Sequence, residues 1–167
     1  MIDPSGAARV STCTLQDDMD ARLARACERQ LDWQAFAAQA GQDPRHRRAQ
    51  VRYMSAAGAA RQPGLVPAEG FYLVQILYPP GHCSPMHRHD DAEEAFYVLK
   101  GTVKIAVEHE GQRYEVVLMP NDFLSVPAGL YRQEINPGSE DAAVCVIVGA
   151  GRPERPVPMP SQNVRKE

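Results

Sequence analysis

The sequence predicts an all-β domain, built as an antiparallel barrel or sandwich, with a helical arm before it. Two observations lead to this prediction. After about residue 50, short apolar runs alternate with breaks rich in Gly, Pro and Asn, and no helical pattern separates the runs. Before that point, apolar residues recur at the spacing of a helix. The 167 residues, of which 44% are hydrophobic, suffice for one domain with a core.

By this interpretation the chain has three parts. Residues 1–48 form the N-terminal helical arm, residues 49–150 form the barrel, and residues 151–167 form an extended tail. The tail is rich in proline from Pro153 to Pro160. We therefore expect it to cross a surface rather than to fold by itself.

The arm contains two helix signals. Apolar residues over 14–40 follow helical spacing, which predicts an amphipathic helix packed on the larger domain. Thr14 and Asp17 resemble a capping box at its start, and Gly41 is the expected end. Asp43-Pro44 predicts a second short helix, because proline fits the first helical position.

The barrel strands are predicted from short runs rich in β-branched and aromatic residues. Turn residues bound each run, and Glu110-Gly111 is the expected tip of a hairpin. Such strands, closely spaced and without helices between them, predict two facing antiparallel sheets. The predicted strands are Val51–Met54, Phe71–Tyr78, Ala95–Leu99, Val103–Glu108, Tyr114–Leu118, Phe123–Val126, Tyr131–Ile135 and Ala143–Val148.

Charge and composition argue against several classes of partner. The net charge is −3, and the basic stretch 45–48 has no accompanying aromatic ladder, so we interpret it as a solvated turn and expect no nucleic-acid partner. The chain has no apolar run of about 18 residues and no secretory signal pattern. Four cysteines without a Cys-x-x-Cys pair are typical of free thiols, so we expect a cytoplasmic protein with no membrane partner.

Three side chains form a candidate metal site. His87 and His89 are two residues apart, so both imidazoles share one face if the segment is a strand. Glu94 follows an acidic loop and brings a carboxylate to the same point if its strand pairs with the first. Two histidines and a carboxylate are the ligands of non-haem Fe(II) sites and also suit Mn, Ni or Zn. We therefore expect one divalent transition metal, whose identity these ligands leave open.

The same segment resembles the first motif of the cupin superfamily. That motif is Gly, five residues, His-x-His, three or four residues, Glu, six residues and Gly. In this sequence Gly81, His87, His89, Glu94 and Gly101 fall on the pattern with the four-residue gap. The resemblance covers roughly residues 51–150. It implies a cupin-type double-stranded β-helix, which is a jelly-roll-like barrel with the site inside it.

The second cupin motif is matched in part. It is Gly, five residues, Pro-x-Gly, two residues, His, three residues and Asn. Pro127, Gly129 and Asn136 match this pattern, whereas Asn121 stands for the first glycine and Arg132 stands for the histidine. In metal-binding cupins that histidine is the fourth protein ligand. A guanidinium has no lone pair to give, so the resemblance implies at most three protein ligands here.

A positive charge close to a metal ion requires compensation. Two arrangements can supply it. Glu134 lies on the same strand face as Arg132 and can pair with it, or a substrate carboxylate can bridge Arg132 and the metal. We therefore interpret Arg132 and Glu134 as candidate substrate-binding residues.

Two alternatives stay open at the metal site. The histidines can form hydrogen bonds to Glu94 without a metal ion. Glu93 becomes the carboxylate ligand if the register of its strand slips by one residue, although the spacing to Gly101 favours Glu94.

The resemblance leaves two main hypotheses for function, because one fold hosts many activities. The first is a metal-dependent enzyme, dioxygenase-like or a lyase or isomerase, that acts on a small organic acid or aromatic compound. The second is a non-catalytic protein that binds a small anionic ligand without metal chemistry. A sensor module of a transcription regulator is a weaker third, since no helix-turn-helix pattern is present. Cupins of this kind are often homodimers, so we also expect a homodimer.

Overall fold

The strands of this protein form two antiparallel sheets of five strands each, which enclose one apolar core. The computed structural model describes residues 14–60, 62 and 64–160. The strands are β1 (Ala49–Arg52), β2 (Met54–Ser55), β3 (Val66–Pro67), β4 (Tyr72–Tyr78), β5 (His87–Arg88), β6 (Glu94–Lys100), β7 (Val103–His109), β8 (Gln112–Leu118), β9 (Phe123–Val126), β10 (Tyr131–Ile135), β11 (Ala142–Val148) and β12 (Val157–Pro158).

The first sheet has the spatial order β1-β4-β11-β6-β9, and the second has the order β12-β5-β10-β7-β8. β2 and β3 form a separate parallel pair. Non-consecutive neighbours in both sheets mean that the chain crosses repeatedly from one sheet to the other. The all-β class predicted from the sequence is therefore confirmed.

Alternation along the strands supplies the core between the sheets. Val74, Ile76 and Tyr78 on β4 are buried at every second position, as expected for a strand with one face inward. From the opposite sheet, Val103 and Ile105 on β7 join the same apolar cluster. The core thus needs both sheets, and neither sheet can bury its apolar face alone.

Strand bounds follow the sequence prediction closely where turns are sharp. β9 and β10 have the predicted bounds, and the β7–β8 hairpin turns at Glu110 and Gly111, both with positive φ. The first predicted strand, 51–54, is wrong in detail. The structure ends β1 at Arg52 and starts the separate β2 at Met54.

The arm differs from its prediction. The capping box at Thr14 and Asp17 is confirmed, but the helix that it starts, α1 (Leu15–Asp20), spans only six residues. A short 3₁₀ turn (Ala26–Glu28) and a second helix, α2 (Ala37–Gln42), follow, so Gly41 lies inside a helix instead of ending one. Neither α1 nor α2 has a buried residue. Because most of the stability of a helix in a protein comes from packing of its apolar face, the helical spacing alone does not produce one long helix here.

The second helix signal is confirmed in a shorter form. Pro44–His46 is a 3₁₀ helix whose first position is proline, and the Asp43 side chain accepts a hydrogen bond from the Arg45 amide. It leads directly into β1, which pairs with β4 at the edge of the first sheet. The arm is therefore joined to the barrel through that edge.

The tail packs on the barrel of its own chain. β12 pairs with β5, with Pro158 opposite His87. The Met159 amide donates to the Met86 carbonyl at 3.0 Å, and the Glu154 amide donates to the Asp91 carboxylate at 2.8 Å. Two parts of the chain lie outside the described residues. They are residues 1–13 of the arm, which include Cys13, and residues 161–167 of the tail.

Within the described residues, Cys27, Cys83 and Cys145 are free thiols. No helix in this part of the chain is long and apolar enough to cross a membrane.

The turn between β6 and β7 requires glycine at position 101. Gly101 has φ +72°, and a Cβ there would lie 2.9 Å from the Ala142 Cα. Gly111 has a similar φ of +78°, but nothing lies within 4 Å of its Cβ position. We expect Gly111→Ala to lower the free energy of unfolding by about 1–2 kcal/mol, the cost of the left-handed backbone, and Gly101→Ala to lower it by clearly more. Urea unfolding followed by circular dichroism measures both, and equal losses would contradict the close approach.

Candidate metal site

The candidate metal ligands are held at the end of the barrel where the two sheets meet. His87 lies on β5 in the second sheet, opposite Arg132 on β10 and Pro158 on β12. Glu94 is the first residue of β6 in the first sheet. The segment between them crosses from one sheet to the other, and the Gly129 amide anchors it by donating to the His89 carbonyl at 2.8 Å.

The structure brings His87, His89 and Glu94 together, as the sequence predicts. One ligand atom from each lies within 4.8 Å of the others. The Nε2 atom of His87 lies 3.7 Å from Glu94 Oε2, and the Nε2 atom of His89 lies 3.8 Å from Glu94 Oε1. Ligand atoms around one transition metal are about 3–3.5 Å apart, so small side-chain shifts bring these three to coordinating distance.

The His87 ring is oriented by its second nitrogen. Its Nδ1 atom lies 2.9 Å from the Pro85 carbonyl oxygen, which can only accept a hydrogen bond. Nδ1 therefore carries the proton, and the lone pair of the neutral ring is on Nε2, toward Glu94. This is the arrangement by which proteins orient metal-binding histidines.

Burial and charge act in opposite directions on these groups. Burial disfavours the His87 imidazolium, but the nearby carboxylates of Glu94 and Glu134 outweigh it, and the pKa of His87 is raised. Burial lowers the pKa of His89. Burial also opposes ionisation of Glu94, yet the His87 and Arg132 side chains outweigh it and lower the pKa of Glu94. Glu94 is therefore a carboxylate, as a metal ligand must be.

The structure decides between Glu94 and Glu93. Glu94 is buried and faces the histidines, whereas the Glu93 carboxylate accepts a hydrogen bond from the Ser125 hydroxyl on the exposed side of the strand. Neighbouring residues of a strand point to opposite faces, so only one of the two can reach the site. The register that places Glu94 opposite Val126 makes Glu94 the carboxylate of the site.

Arg132 lies behind Glu94 and is fully buried. Its Nε atom donates to Glu94 Oε2 at 2.8 Å, and its Nη1 atom donates to the Leu130 carbonyl at 2.8 Å. Its Nη2 atom has no hydrogen-bond partner. The guanidinium therefore occupies the side of Glu94 away from His89, and it pairs with a metal-ligand candidate rather than with Glu134.

The expected ion pair between Arg132 and Glu134 is absent among the described residues. The two side chains do share the buried face of β10, as predicted. The Glu134 carboxylate instead accepts a hydrogen bond from the Tyr78 hydroxyl at 3.1 Å, across the barrel. Burial, and then the charge of Glu134, raise the pKa of Tyr78, so this hydroxyl stays protonated and donates. The partner of Glu134 is therefore the Tyr78 hydroxyl from the facing sheet, and not the Arg132 guanidinium.

Two further residues of the second motif, Asn121, which departs from it, and Asn136, which matches it, have structural roles. Asn121, in place of a motif glycine, has φ +75°, a conformation that asparagine tolerates better than most residues. Its side-chain oxygen accepts from the Tyr97 hydroxyl at 3.0 Å. Asn136 is fully buried, and its amide donates to the carbonyls of Tyr78 and Glu140. Both residues hold turns and lie outside the metal site.

The three ligand candidates open onto a cavity of about 470 Å³, within the range of small-molecule sites. Val74, Val146 and Val148 of the first sheet form part of its wall, and Pro156 and Pro158 of the tail close another part. Glu134 lines the cavity, whereas Arg132 does not. A ligand in the cavity therefore meets Glu134 and the three metal-ligand candidates, while Arg132 acts on it through Glu94.

Sequence reasoning missed Arg48. The basic stretch 45–48 was expected to be solvated, but Arg48 is buried and lines the cavity. Its guanidinium stacks on the Phe36 ring, with Cζ 3.7 Å from the ring centroid. Arg48 precedes β1, and its side-chain partners Phe36 and Gln39 come from the start of α2, whose position relative to β1 the sequence does not reveal.

Comparisons with known proteins agree with this fold. The family described as "Cupin domain" matches residues 74–149. A germin-like protein, subfamily 1 member 5 of Arabidopsis thaliana, is 31% identical over 99 residues, which are 57% of this chain and 44% of that protein. A germin-like protein of Ipomoea nil is 36% identical over 69 residues, which are 41% of this chain and 32% of that protein. The matches span less than half the length of these relatives.

Solved structures share the fold at low sequence identity. Drosophila melanogaster CENP-C, solved bound to CAL1, has a TM-score of 0.56 at 12% identity and covers 77% of this chain and 82% of its own. An oxalate oxidase structure has a TM-score of 0.50 at 24% identity and covers 53% and 45%. Residues 74–149 match the cupin domain family, which confirms the resemblance seen in the sequence, and this segment holds the candidate metal ligands.

Replacement of Arg132 should destabilise the fold, because the buried Glu94 carboxylate then lacks its positively charged partner. We expect Arg132→Met to lower the free energy of unfolding by about 3–5 kcal/mol, because it leaves a buried carboxylate without its cation. In the double variant with Glu94→Gln, which removes that charge, the loss should be smaller than the sum of the two single losses. Urea unfolding of the four proteins gives the coupling energy, and strictly additive losses would show that the contact carries no interaction.

Proposed function

We propose that this protein is a metal-dependent cupin enzyme, dioxygenase-like or a lyase or isomerase, that acts on a small organic acid or aromatic compound. The observation that carries the proposal is the convergence of His87, His89 and Glu94 within 4.8 Å at the wall of a cavity of about 470 Å³. Three lone-pair donors meet where a small molecule has room to lie beside them. That combination is typical of a catalytic site with open coordination positions.

The donor set fits one divalent transition metal, either Fe, Mn, Ni or Zn. The Nδ1 atom of His89 is buried without a hydrogen-bond partner, and both histidines turn Nε2 toward Glu94. When bound, such an ion acts as a Lewis acid toward substrate oxygen atoms or as a site of oxygen activation. The pairing of Glu94 Oε2 with Arg132 leaves Oε1 as the oxygen free for coordination.

The other residues of the cavity bind and orient the substrate in this proposal. Tyr78 and Glu134 form a buried hydrogen-bonded pair at its wall, and the Tyr78 hydroxyl proton is held by the carboxylate. The valines of the first sheet exclude water from the carbon skeleton. Glu134 remains the candidate substrate-binding residue, while Arg132 keeps Glu94 charged and in place.

A non-catalytic binding protein is the second candidate, and one observation favours it. Arg132 occupies the position of the fourth metal ligand of the superfamily and already neutralises Glu94. A carboxylate paired with a guanidinium attracts a metal ion less strongly than a free one. In this case the cavity holds a small anionic molecule without metal chemistry.

Metal binding separates the two candidates. The wild-type protein should bind about one divalent ion per chain in a Mn²⁺ or Zn²⁺ titration by calorimetry, and His87→Ala should lose at least tenfold in affinity because it removes one of three ligands. His109→Ala is the matched control, since that side chain is 59% exposed and distant from the cluster in sequence. Equal metal binding by wild type and His87→Ala would overturn the metal assignment, and no binding by wild type would favour the second candidate.

We also propose a homodimer. Phe123 on the edge strand β9 is 59% exposed, and Leu99 on the neighbouring β6 is exposed as well. An uncovered edge with large apolar side chains is a surface that a second copy can cover. Light scattering should give the dimer mass at micromolar concentration, and Phe123→Ser should shift the equilibrium toward monomer. A monomer mass for the wild type would contradict the proposal.

A further inference from the structure

Arg48 is a buried cation that neither the metal cluster nor the ion pairs of the barrel use. It is 4% exposed and lines the same cavity as His87, His89 and Glu94. Among the residues that the structure describes, no carboxylate lies within ion-pair distance of its guanidinium. A buried charge without a counter-charge is costly, and proteins retain such groups where a ligand supplies the missing charge.

The hydrogen bonds of Arg48 are incomplete. Its Nη1 atom donates to the His46 carbonyl at 2.9 Å, and its Nη2 atom donates to the Gln39 side-chain oxygen at 2.6 Å. Its Nε atom is buried with no partner. Both acceptors are neutral, so they accept hydrogen bonds from the guanidinium but do not neutralise its charge. A guanidinium with a free Nε–H is suited to a carboxylate, which accepts charge-assisted hydrogen bonds.

The guanidinium is fixed in place before any ligand arrives. Its Cζ atom lies 3.7 Å from the centroid of the Phe36 ring and 6.0 Å from that of Tyr78. Cation–π contacts of this kind hold the planar group in one orientation. A preorganised cation loses little further entropy on binding, which raises its affinity for a matching anion.

The rest of the cavity selects among anions. Two carboxylates, Glu94 and Glu134, line the same space, so a highly charged anion such as a phosphate ester is repelled. Val74, Val146 and Val148 line it too and favour an apolar carbon skeleton. The ligand that fits all of these groups carries one negative charge at one end and is apolar along its length.

We infer that Arg48 binds the carboxylate of a small apolar monocarboxylic acid whose other end reaches the His87–His89–Glu94 cluster. As an assignment of substrate class this rests on the proposed function, whereas anion binding at Arg48 requires no metal. Arg48 lies on the loop between the last 3₁₀ helix of the arm and β1, outside the cupin match at residues 74–149. The recognition element is thus supplied by the arm of this chain.

The test compares an acid with its uncharged amide on the metal-free full-length protein. Calorimetry or ligand-observed NMR should show that benzoate or butyrate binds the wild type at least tenfold more tightly than benzamide or butyramide. Arg48→Met should lose at least tenfold in affinity for the acid and little for the amide, because only the acid uses the charge. Arg47→Met is the matched control, since Arg47 also stacks on an aromatic ring, 4.6 Å from Trp33, but is exposed.

Three results overturn the inference. They are equal affinity of the wild type for acid and amide, equal acid affinity of wild type and Arg48→Met, and no binding of either acid up to ~10 mM. If Arg48→Met does not fold, Arg48→Lys replaces it, because lysine keeps the charge but loses the free Nε–H and should weaken acid binding.

A parallel metal titration separates this inference from the proposed function. Arg48→Met should bind Mn²⁺ or Zn²⁺ as the wild type does, within about twofold, because the hydrogen bonds of Arg48 go to His46 and Gln39 and not to the three ligand candidates. Failure of the wild type to bind metal would reject the proposed enzyme and leave the acid-versus-amide comparison to decide on Arg48. Loss of metal binding in Arg48→Met would show that the residue supports the whole site rather than the anion, and would overturn the inference.

Discussion

The contact between Arg132 and Glu94 is the constraint on which the rest of the site depends. Glu94 begins β6 in the first sheet, and Arg132 lies on β10 in the second, directly opposite His87. A single buried ion pair therefore fixes the carboxylate of one sheet relative to an imidazole of the other. Two charges removed from water stay ionised only when they meet in good geometry, so the sheets cannot slide without a large electrostatic cost.

That ion pair also gives a physical meaning to the departure from the second cupin motif. Arg132 has no lone pair to offer where the motif has a neutral donor, but its charge, together with His87, favours the ionised form of the buried Glu94. The site thereby has a carboxylate that is ready to coordinate but already partly neutralised. The two histidines of the site come from one short segment, residues 87–89.

The sequence was informative wherever spacing alone decides the outcome. Two histidines with one residue between them and a glutamate at the start of a strand converge because the pleat alternates, and the structure confirms it. The partner of Arg132 could not be found in this way. Strand periodicity correctly placed Arg132 and Glu134 on one face, but their partners come from strands that are distant in sequence, and only the barrel closure brings these near.

In the arm, the sequence pattern predicted more regular structure than the protein has. Helical spacing of its apolar residues was a weak guide, because Leu15, Met19 and Leu23 have no face to pack on and stay exposed. The important residue of this region, Arg48, carries no local signal. Its burial depends on Phe36, twelve positions earlier, and on the cavity wall behind it. Stacking and burial of a charge are tertiary events, which propensity and pattern do not encode.

The tail strand β12 has a kinetic consequence for the cavity that it helps to close. It is two residues long, one of them a proline that cannot donate a ladder hydrogen bond, and it lies beside the equally short β5. A segment held by so few hydrogen bonds opens locally at a far smaller free energy than the sheets do. The part of the cavity wall that Pro156 and Pro158 form is therefore expected to open more readily than the part that the sheets form.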